Sequence, residues 1–255
     1  MILISAQALG RQFRGDPVFN ELNFEVRAGD RIGLVGPNGA GKTTLLNVLC
    51  GFVRPDAGRL RFDGAEVKGL RPHRLASLGI ARTLQGVGLF QHLSVLENVM
   101  VGAEHVARAG FWSALAGLPA ADRREGVLRT RALEALDRVG APDLADRMPD
   151  QLAYGVRKRV ALARAVVGGP QLLLLDEPAS GLSETELGGL GELITSLAAD
   201  ASVVVVEHRM DLMMSVCDSI VVLDFGRVIA GGTPAQVQAD PAVTTAYLGA
   251  EDGDE

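Results

Sequence analysis

Cysteine is scarce in this chain of 255 residues: Cys50 and Cys217 are the only two, and no short-spaced set of Cys and His accompanies them. A disulfide bridge or a thiolate metal site would want more Cys or His at short spacing, and both cysteines are expected as buried free thiols. Long apolar runs are missing as well. Leu172 to Leu175 and Val203 to Val206 are each a strand's length, far short of the roughly 18 or more residues that a membrane span needs. The protein is expected to be soluble when isolated. No cationic segment precedes Ile2-Leu3-Ile4, which reads as a first strand and not as a secretory signal, so a cytosolic address is expected. Positive charge is in deficit, with 25 Lys and Arg against 31 Asp and Glu. That balance argues against a duplex-binding surface, and no nucleic-acid partner is expected. What the chain does have is 47% hydrophobic content, enough to bury the core of one large or two modest domains.

Along the chain, apolar runs and turn signals alternate first. Ile2 to Leu9, Leu22 to Val26 and Ile32 to Val35 read as strands, and Thr43 to Cys50 as a helix stopped by Gly51. Leu60 and Phe62 precede the hairpin signal Asp63-Gly64, and Ile80 to Leu84 reads as a further strand ending at Gln85. From about Leu93 helices dominate. Ser94 to Glu97 has the form of a capping box, and Leu128, Ala132, Ala135, Leu136 and Val139 form an apolar stripe that stops at Gly140. Phe111-Trp112-Ser113-Ala114-Leu115 lies between the two helical stretches, as core or as a patch facing a partner. Strand character returns at Leu172 to Leu175 and Val203 to Val206, runs of the kind buried on both faces of a parallel sheet. Between them Ser183 to Glu186 offers a second capping box ahead of a helical stripe. The fold class is therefore α/β: a mainly parallel sheet, an N-terminal antiparallel β part and an inserted helical subdomain. A single domain is expected, with residues 1–85 and 163–250 as the core, 86–162 as the helical part and 251–255 as an acidic tail.

"GPNGAGKTT" follows a strand and opens a helix. Gly36, Pro37, Asn38, Gly39, Ala40, Gly41, Lys42, Thr43 and Thr44 fit the phosphate-binding loop G-x-x-x-x-G-K-[ST] in its required context. Backbone N–H groups turned inward by the glycines, together with the helix N-terminus, favour an anion. Lys42 reaches the β and γ phosphates, and the Thr43 hydroxyl can ligate Mg²⁺. Asp176 and Glu177 come directly after four leucines, at the carboxyl end of a buried strand. There Asp176 can hold the Mg²⁺ shell, and Glu177 can orient or deprotonate the attacking water. His208 ends the valine strand and can contact the γ phosphate, while Gln85 at another strand end is a candidate for Mg²⁺ or water. Phe13 can stack on adenine or pack in the core. "QLAYGVRKR", residues 151 to 159, puts Gly155 and the cations Arg157, Lys158 and Arg159 at a helix start, where the macrodipole is already positive.

In order and spacing these motifs resemble those of the ATP-binding cassette (ABC) ATPases, a P-loop NTPase fold, over essentially the whole chain. The resemblance implies ATP and Mg²⁺ as ligands and catalytic roles for Lys42, Glu177 and His208. It also implies metal contacts from Thr43, Gln85 and Asp176, and ATP contacts from Phe13, Val18 and the loop Gly36 to Thr44. Leu152, Ala153, Tyr154, Gly155 and Val156 stand at the signature L-S-G-G-Q, which serves the ATP of a second cassette in a head-to-tail homodimer or heterodimer. Positive charge at that helix start then suits a γ phosphate. Ala153, Tyr154 and Val156 depart from the signature, leaving Gly155 and backbone amides to make the contact. Ser183 stands where the loop after the catalytic carboxylates commonly has aspartate.

"ARTLQ" at 81–85, "GFWSALAGLP" at 110–119, "LAYG" at 152–155 and "GTPAQVQADPAVTTAYLG" at 232–249 resemble the ATP-binding subunit of branched-chain amino-acid importers. This closer likeness implies transmembrane permeases, an extracytoplasmic substrate-binding protein and a peripheral place on the cytoplasmic face of the membrane. Urea or amide import and lipopolysaccharide export are related alternatives. A cassette ATPase of a soluble machine is set against the single cassette and the absence of a heptad run.

Overall fold

The computed structural model describes residues 1–83, 86–103 and 119–251, with the backbone alone at 119–124 and 248–251. Gln85, the segment around Trp112 and the acidic tail beyond Glu251 lie outside the described residues.

Among the described residues ten strands form two sheets. The first is antiparallel, in the order β2-β1-β4-β5, from β1 (Ile2–Phe13), β2 (Asp16–Arg27), β4 (Ala57–Phe62) and β5 (Ala65–Glu66). The second runs β10-β9-β3-β8-β7-β6, from β3 (Arg31–Val35), β6 (Ile80–Arg82), β7 (Leu172–Asp176), β8 (Ser202–Val206), β9 (Ser219–Asp224) and β10 (Arg227–Gly232). Its pairings from β9 to β6 are parallel, and β10 turns back antiparallel on β9.

The leucine and valine runs explain the layering, because side chains alternate faces along a strand. Leu172, Leu174, Val204 and Val206 point into a core closed by the antiparallel sheet and by helix α1 (Lys42–Leu49). Leu173, Leu175, Val203 and Val205 point the other way. There they meet α3 (Pro119–Arg138) through Leu136, α4 (Tyr154–Val166) through Val160, and α5 (Glu184–Leu197) through Ile194. Helix α2 (Val95–Val101) packs against α3 and α4, and α6 (Met210–Val216), α7 (Pro234–Gln238) and α8 (Pro241–Glu251) follow β8 and β10.

Local expectations meet local chemistry in detail. Ser94 caps α2 in both directions: its N–H donates to Glu97 Oε2 at 2.7 Å, and its hydroxyl accepts from the Glu97 N–H at 3.2 Å. At α5 the Ser183 hydroxyl turns instead to Glu186 Oε2, 2.7 Å away, while the Ser183 N–H donates to the same oxygen at 2.9 Å. Helix α4 runs on to Val166, past the expected divide at 162, because Leu162, Ala163 and Val166 stay buried in the core. Among the described residues no helix is long and apolar enough to cross a membrane.

Cys50 and Cys217 are both buried and free. Burial pushes their thiols up to about 11 and about 12 respectively, so neither offers thiolate at neutral pH. Native protein at pH 8 should therefore react with a chromogenic disulfide such as DTNB at well under a tenth of the rate seen in urea. Rapid native labelling of either thiol would show that its burial is not maintained in solution.

Candidate nucleotide site

Three adjacent parallel strands end together. In register, Leu34 of β3 pairs with Val206 of β8, which pairs with Asp176 of β7. The glycine loop, His208 and Glu177 thus all leave the same edge of the sheet, the carboxyl-end crevice where open α/β sheets hold ligands.

The loop requires its glycines. Gly36 has φ 147°, and a β carbon there would stand 2.0 Å from the Leu223 carbonyl oxygen. Gly41 has φ 99°, and a β carbon on it would meet Val18 Cγ1 at 3.3 Å, which places the Val18 side chain against the loop. The Lys42 ammonium lies inside, donating to the carbonyls of Gly36 at 2.7 Å and Pro37 at 2.9 Å. Burial lowers its pKa and the Glu177 carboxylate pulls it back up. Ala40 is buried, whereas Asn38, Gly39 and Thr43 are exposed and Pro37 and Thr44 half-buried. The Thr43 hydroxyl is therefore open to a ligand at the helix start. Phe13 ends β1 at 44% exposure, so it is not a core residue, and the Arg11 guanidinium lies 4.4 Å from its ring centroid.

Asp176 is buried against Arg82, whose Nη2 donates to Oδ2 at 2.8 Å with side-chain exposures of 8% and 2%. Arg82 also donates to Asn47 Oδ1 of α1 at 2.7 Å, and the Asp176 N–H reaches the Thr83 hydroxyl at 3.3 Å. Glu177 is half-buried with φ 47°, its N–H donating to the Val206 carbonyl at 2.9 Å. His208 is exposed, its Nδ1 3.4 Å from Glu207 Oε2, and Glu207 is fully buried. Gln85 lies outside the described residues.

Leu152 to Val156 do not join this cluster. Ala153 and Tyr154 are exposed at the start of α4, with no side-chain cap on the helix, while Leu152 and Gly155 are buried and Val156 half-buried. They lie against the loop after Glu177 at Gly181 and against the first turn of α5 at Glu186. A β carbon on Gly155 would collide with Glu186 Oε1 at 2.1 Å, and one on Gly181 would stand 2.9 Å from Tyr154 Cε1. The cations that follow are not all aimed outward either: Arg157 Nε donates to the Leu152 carbonyl at 2.9 Å, and Lys158 is buried with its ammonium donating to the Pro178 carbonyl at 2.8 Å.

Sequence reasoning took Lys158 only as part of the cationic helix start and gave no role to Arg82, Glu207 or Tyr247. The first three carried a signal: a cation closing a β strand, a cation one turn into a helix, and a carboxylate straight after four valines. Tyr247 on α8 donates its hydroxyl to Met210 Sδ at 4.0 Å, a contact between distant segments that has no local signature.

Residues 19–180 match the ABC transporter family, and residues 227–253 match the family described as branched-chain amino acid ATP-binding cassette transporter. The chain is 38% identical over 249 residues to the high-affinity branched-chain amino acid transport ATP-binding protein BraF of Pseudomonas aeruginosa, covering 97% of this chain and 98% of that protein. It is 31% identical over 250 residues to the lipopolysaccharide export system ATP-binding protein LptB of Haemophilus influenzae, covering 98% of each. Among solved structures it is similar to the ADP conformation of MJ1267, an ATP-binding cassette of an ABC transporter. The TM-score there is 0.84 at 27% identity, covering 98% of this chain and 99% of the other.

Proposed function

The chain belongs to the ABC transporter family of ATP-binding cassettes and hydrolyses ATP, and on that premise we propose that it powers the import of branched-chain amino acids. The match of residues 227–253 to the branched-chain amino acid cassettes carries the choice of substrate class, and the 31% identity to an exporter subunit marks the rival. Uptake of labelled leucine by cells lacking the chain tests it. Loss of leucine uptake with intact lipopolysaccharide export supports import, and the reverse pattern rejects it.

In this reading the triphosphate replaces carbonyls as the partner of Lys42, whose present bonds to Gly36 and Pro37 hold it poised inside the loop. Backbone amides of Gly39 to Thr43 cradle the phosphates at the start of α1. No group of three His, Cys, Asp or Glu able to hold a metal occurs among the described residues. That suits Mg²⁺, which binds through one or two protein groups plus phosphates and water. Thr43 and Asp176 are the protein groups, with Gln85 as a third, and bound Mg²⁺ would neutralise charge developing on the phosphates. Glu177 takes the proton of the attacking water, His208 steadies the γ phosphate, and Phe13 and Val18 flank the base and the loop. The exposed start of α4, Ala153 and Tyr154, faces the nucleotide of a second cassette, in a homodimer or a heterodimer, and either pairing completes two sites.

A groove of 390 Å³ between the sheet core and the helical layer suits a helix of a membrane permease. Its walls include Leu75, Val101, Arg164 and two aromatic rings, Phe52 and Phe90, each 52% exposed. Exposed rings of this size beside a cleft mark an interaction surface. Phe90→Asp should weaken capture of permeases from detergent-solubilised membranes about tenfold, the order of one lost hot-spot contact. ATP-driven dimerisation serves as the folding control, and undiminished capture would move the docking surface elsewhere.

A further inference from the structure

A buried lysine, a fully buried glutamate and a strained backbone meet at one corner of the nucleotide site. Glu177 sits at φ 47°, in the left-handed region that a non-glycine residue keeps only where its surroundings over-determine it. Three partners do so. The Glu177 N–H donates to Val206 O at 2.9 Å. The Lys158 ammonium donates to the Pro178 carbonyl at 2.8 Å and to the Glu177 carbonyl at 3.3 Å. Glu207 Oε1 accepts the Ala179 N–H at 2.7 Å. The stretch 177–179 is thus gripped on its carbonyls by a cation from α4 and on its next amide by a carboxylate from the end of β8. Glu207 Oε2 also accepts the His208 N–H at 3.1 Å, so the same carboxylate holds the backbone of His208 and of the stretch that follows Glu177.

Lys158 is 8% exposed and Glu207 is fully buried. Such charges are tolerated only when compensated, and the carboxylates of Glu207 and Glu177 are what oppose the effect of burial on Lys158. Lys158 also lines a cavity of 20 Å³ together with Thr83, Asp176 and Glu177. It stands one helical turn after Tyr154 on the same helix, so a displacement of α4 as a whole would be passed from its exposed start to the Glu177 backbone.

We propose that Lys158, acting with Glu207 on the stretch 177–179, is a positioning residue for the catalytic carboxylate of its own chain. The helix that presents Leu152 to Val156 outward thereby also governs hydrolysis at the Glu177 of the same subunit. This supplies a link between two nucleotide sites that does not need an aspartate at Ser183. The proposal rests on Glu177 being the group that activates water.

The structure gives Lys158 no hydrogen bond to the glycine loop, so its removal should act on turnover and not on ATP binding. Lys158→Met should lower kcat at least tenfold with KM for ATP within threefold, since small misplacements of a catalytic group are expensive. In a Glu177→Gln background it should still form ATP-dependent dimers. Glu207→Gln should also lower kcat, and the double variant should lose less than the product of the two single losses, because both grip one segment. Should Lys158→Met be poorly folded, Lys158→Gln, which keeps a donor without the charge, should give an intermediate kcat. The proposal is overturned by a folded Lys158 variant of either kind with wild-type kcat, by losses that multiply, or by loss of the dimers, which would assign Lys158 to the partner's nucleotide. If Glu177→Gln alone turns over at the wild-type rate, the assignment of Glu177 is what fails.

Discussion

Glu177→Gln should lower ATP turnover at least a hundredfold and trap the protein as an ATP-dependent dimer. Removing a positioned general base costs about 10²–10⁴ in rate, and the substitution keeps the size and hydrogen-bonding reach of the side chain. Binding should survive, because Lys42 and the loop amides are untouched and Lys42 stays inside the loop through Gly36 and Pro37. Loss of the carboxylate removes a charge that favours the Lys42 ammonium against burial, a role that the bound triphosphate takes over. The readout is gel filtration with ATP, with ADP and without nucleotide, using the chain alone and mixed with a candidate second cassette. Dimers with ATP only are the expected result. Monomers under every condition, in both preparations, would refute the two-cassette mechanism for this protein.

Much of this site was legible because the chemistry is local in sequence. A phosphate loop needs glycines and a lysine within nine residues, and two carboxylates after a run of leucines can only mark a strand end. Convergence of the three strand ends was less legible, since the order β3-β8-β7 depends on pairings between segments up to 172 residues apart. Length was misjudged where polarity hid pairing. The first strand reads from Ile2 to Leu9, yet it continues to Phe13, because Arg11 and Gln12 pair across to Phe19 and Pro17 although they contribute little to the core. The expectation for Arg157, Lys158 and Arg159 was a positive end facing a phosphate. Sequence marks their charge but not their direction, and at the second of them the structure turns the charge into its own chain.

Arg82 shows the same limit, and it sets the largest expected effect on stability. As the last residue of β6 it pairs with Leu174, one residue short of the register that would set it beside Leu175. Its guanidinium nevertheless reaches Asp176, and Phe52 lies 5.3 Å away by its ring centroid. The ion pair is almost wholly removed from water, with 8% and 2% side-chain exposure. Breaking a buried pair by removing one partner destabilises by about 3–5 kcal/mol, because the remaining charge is left uncompensated. Arg82→Met should therefore lower the urea midpoint with an unchanged m value, and shift Tm down by roughly 10 °C for a chain of this size. Asp176→Asn added to Arg82→Met removes the stranded carboxylate, so the double variant should recover most of the lost stability while losing turnover, since Asp176 is one of the groups assigned to Mg²⁺. Stability and turnover would then move in opposite directions between the single and the double variant. An Arg82→Met protein as stable as the parent would mean that Asp176 is balanced by something other than this guanidinium.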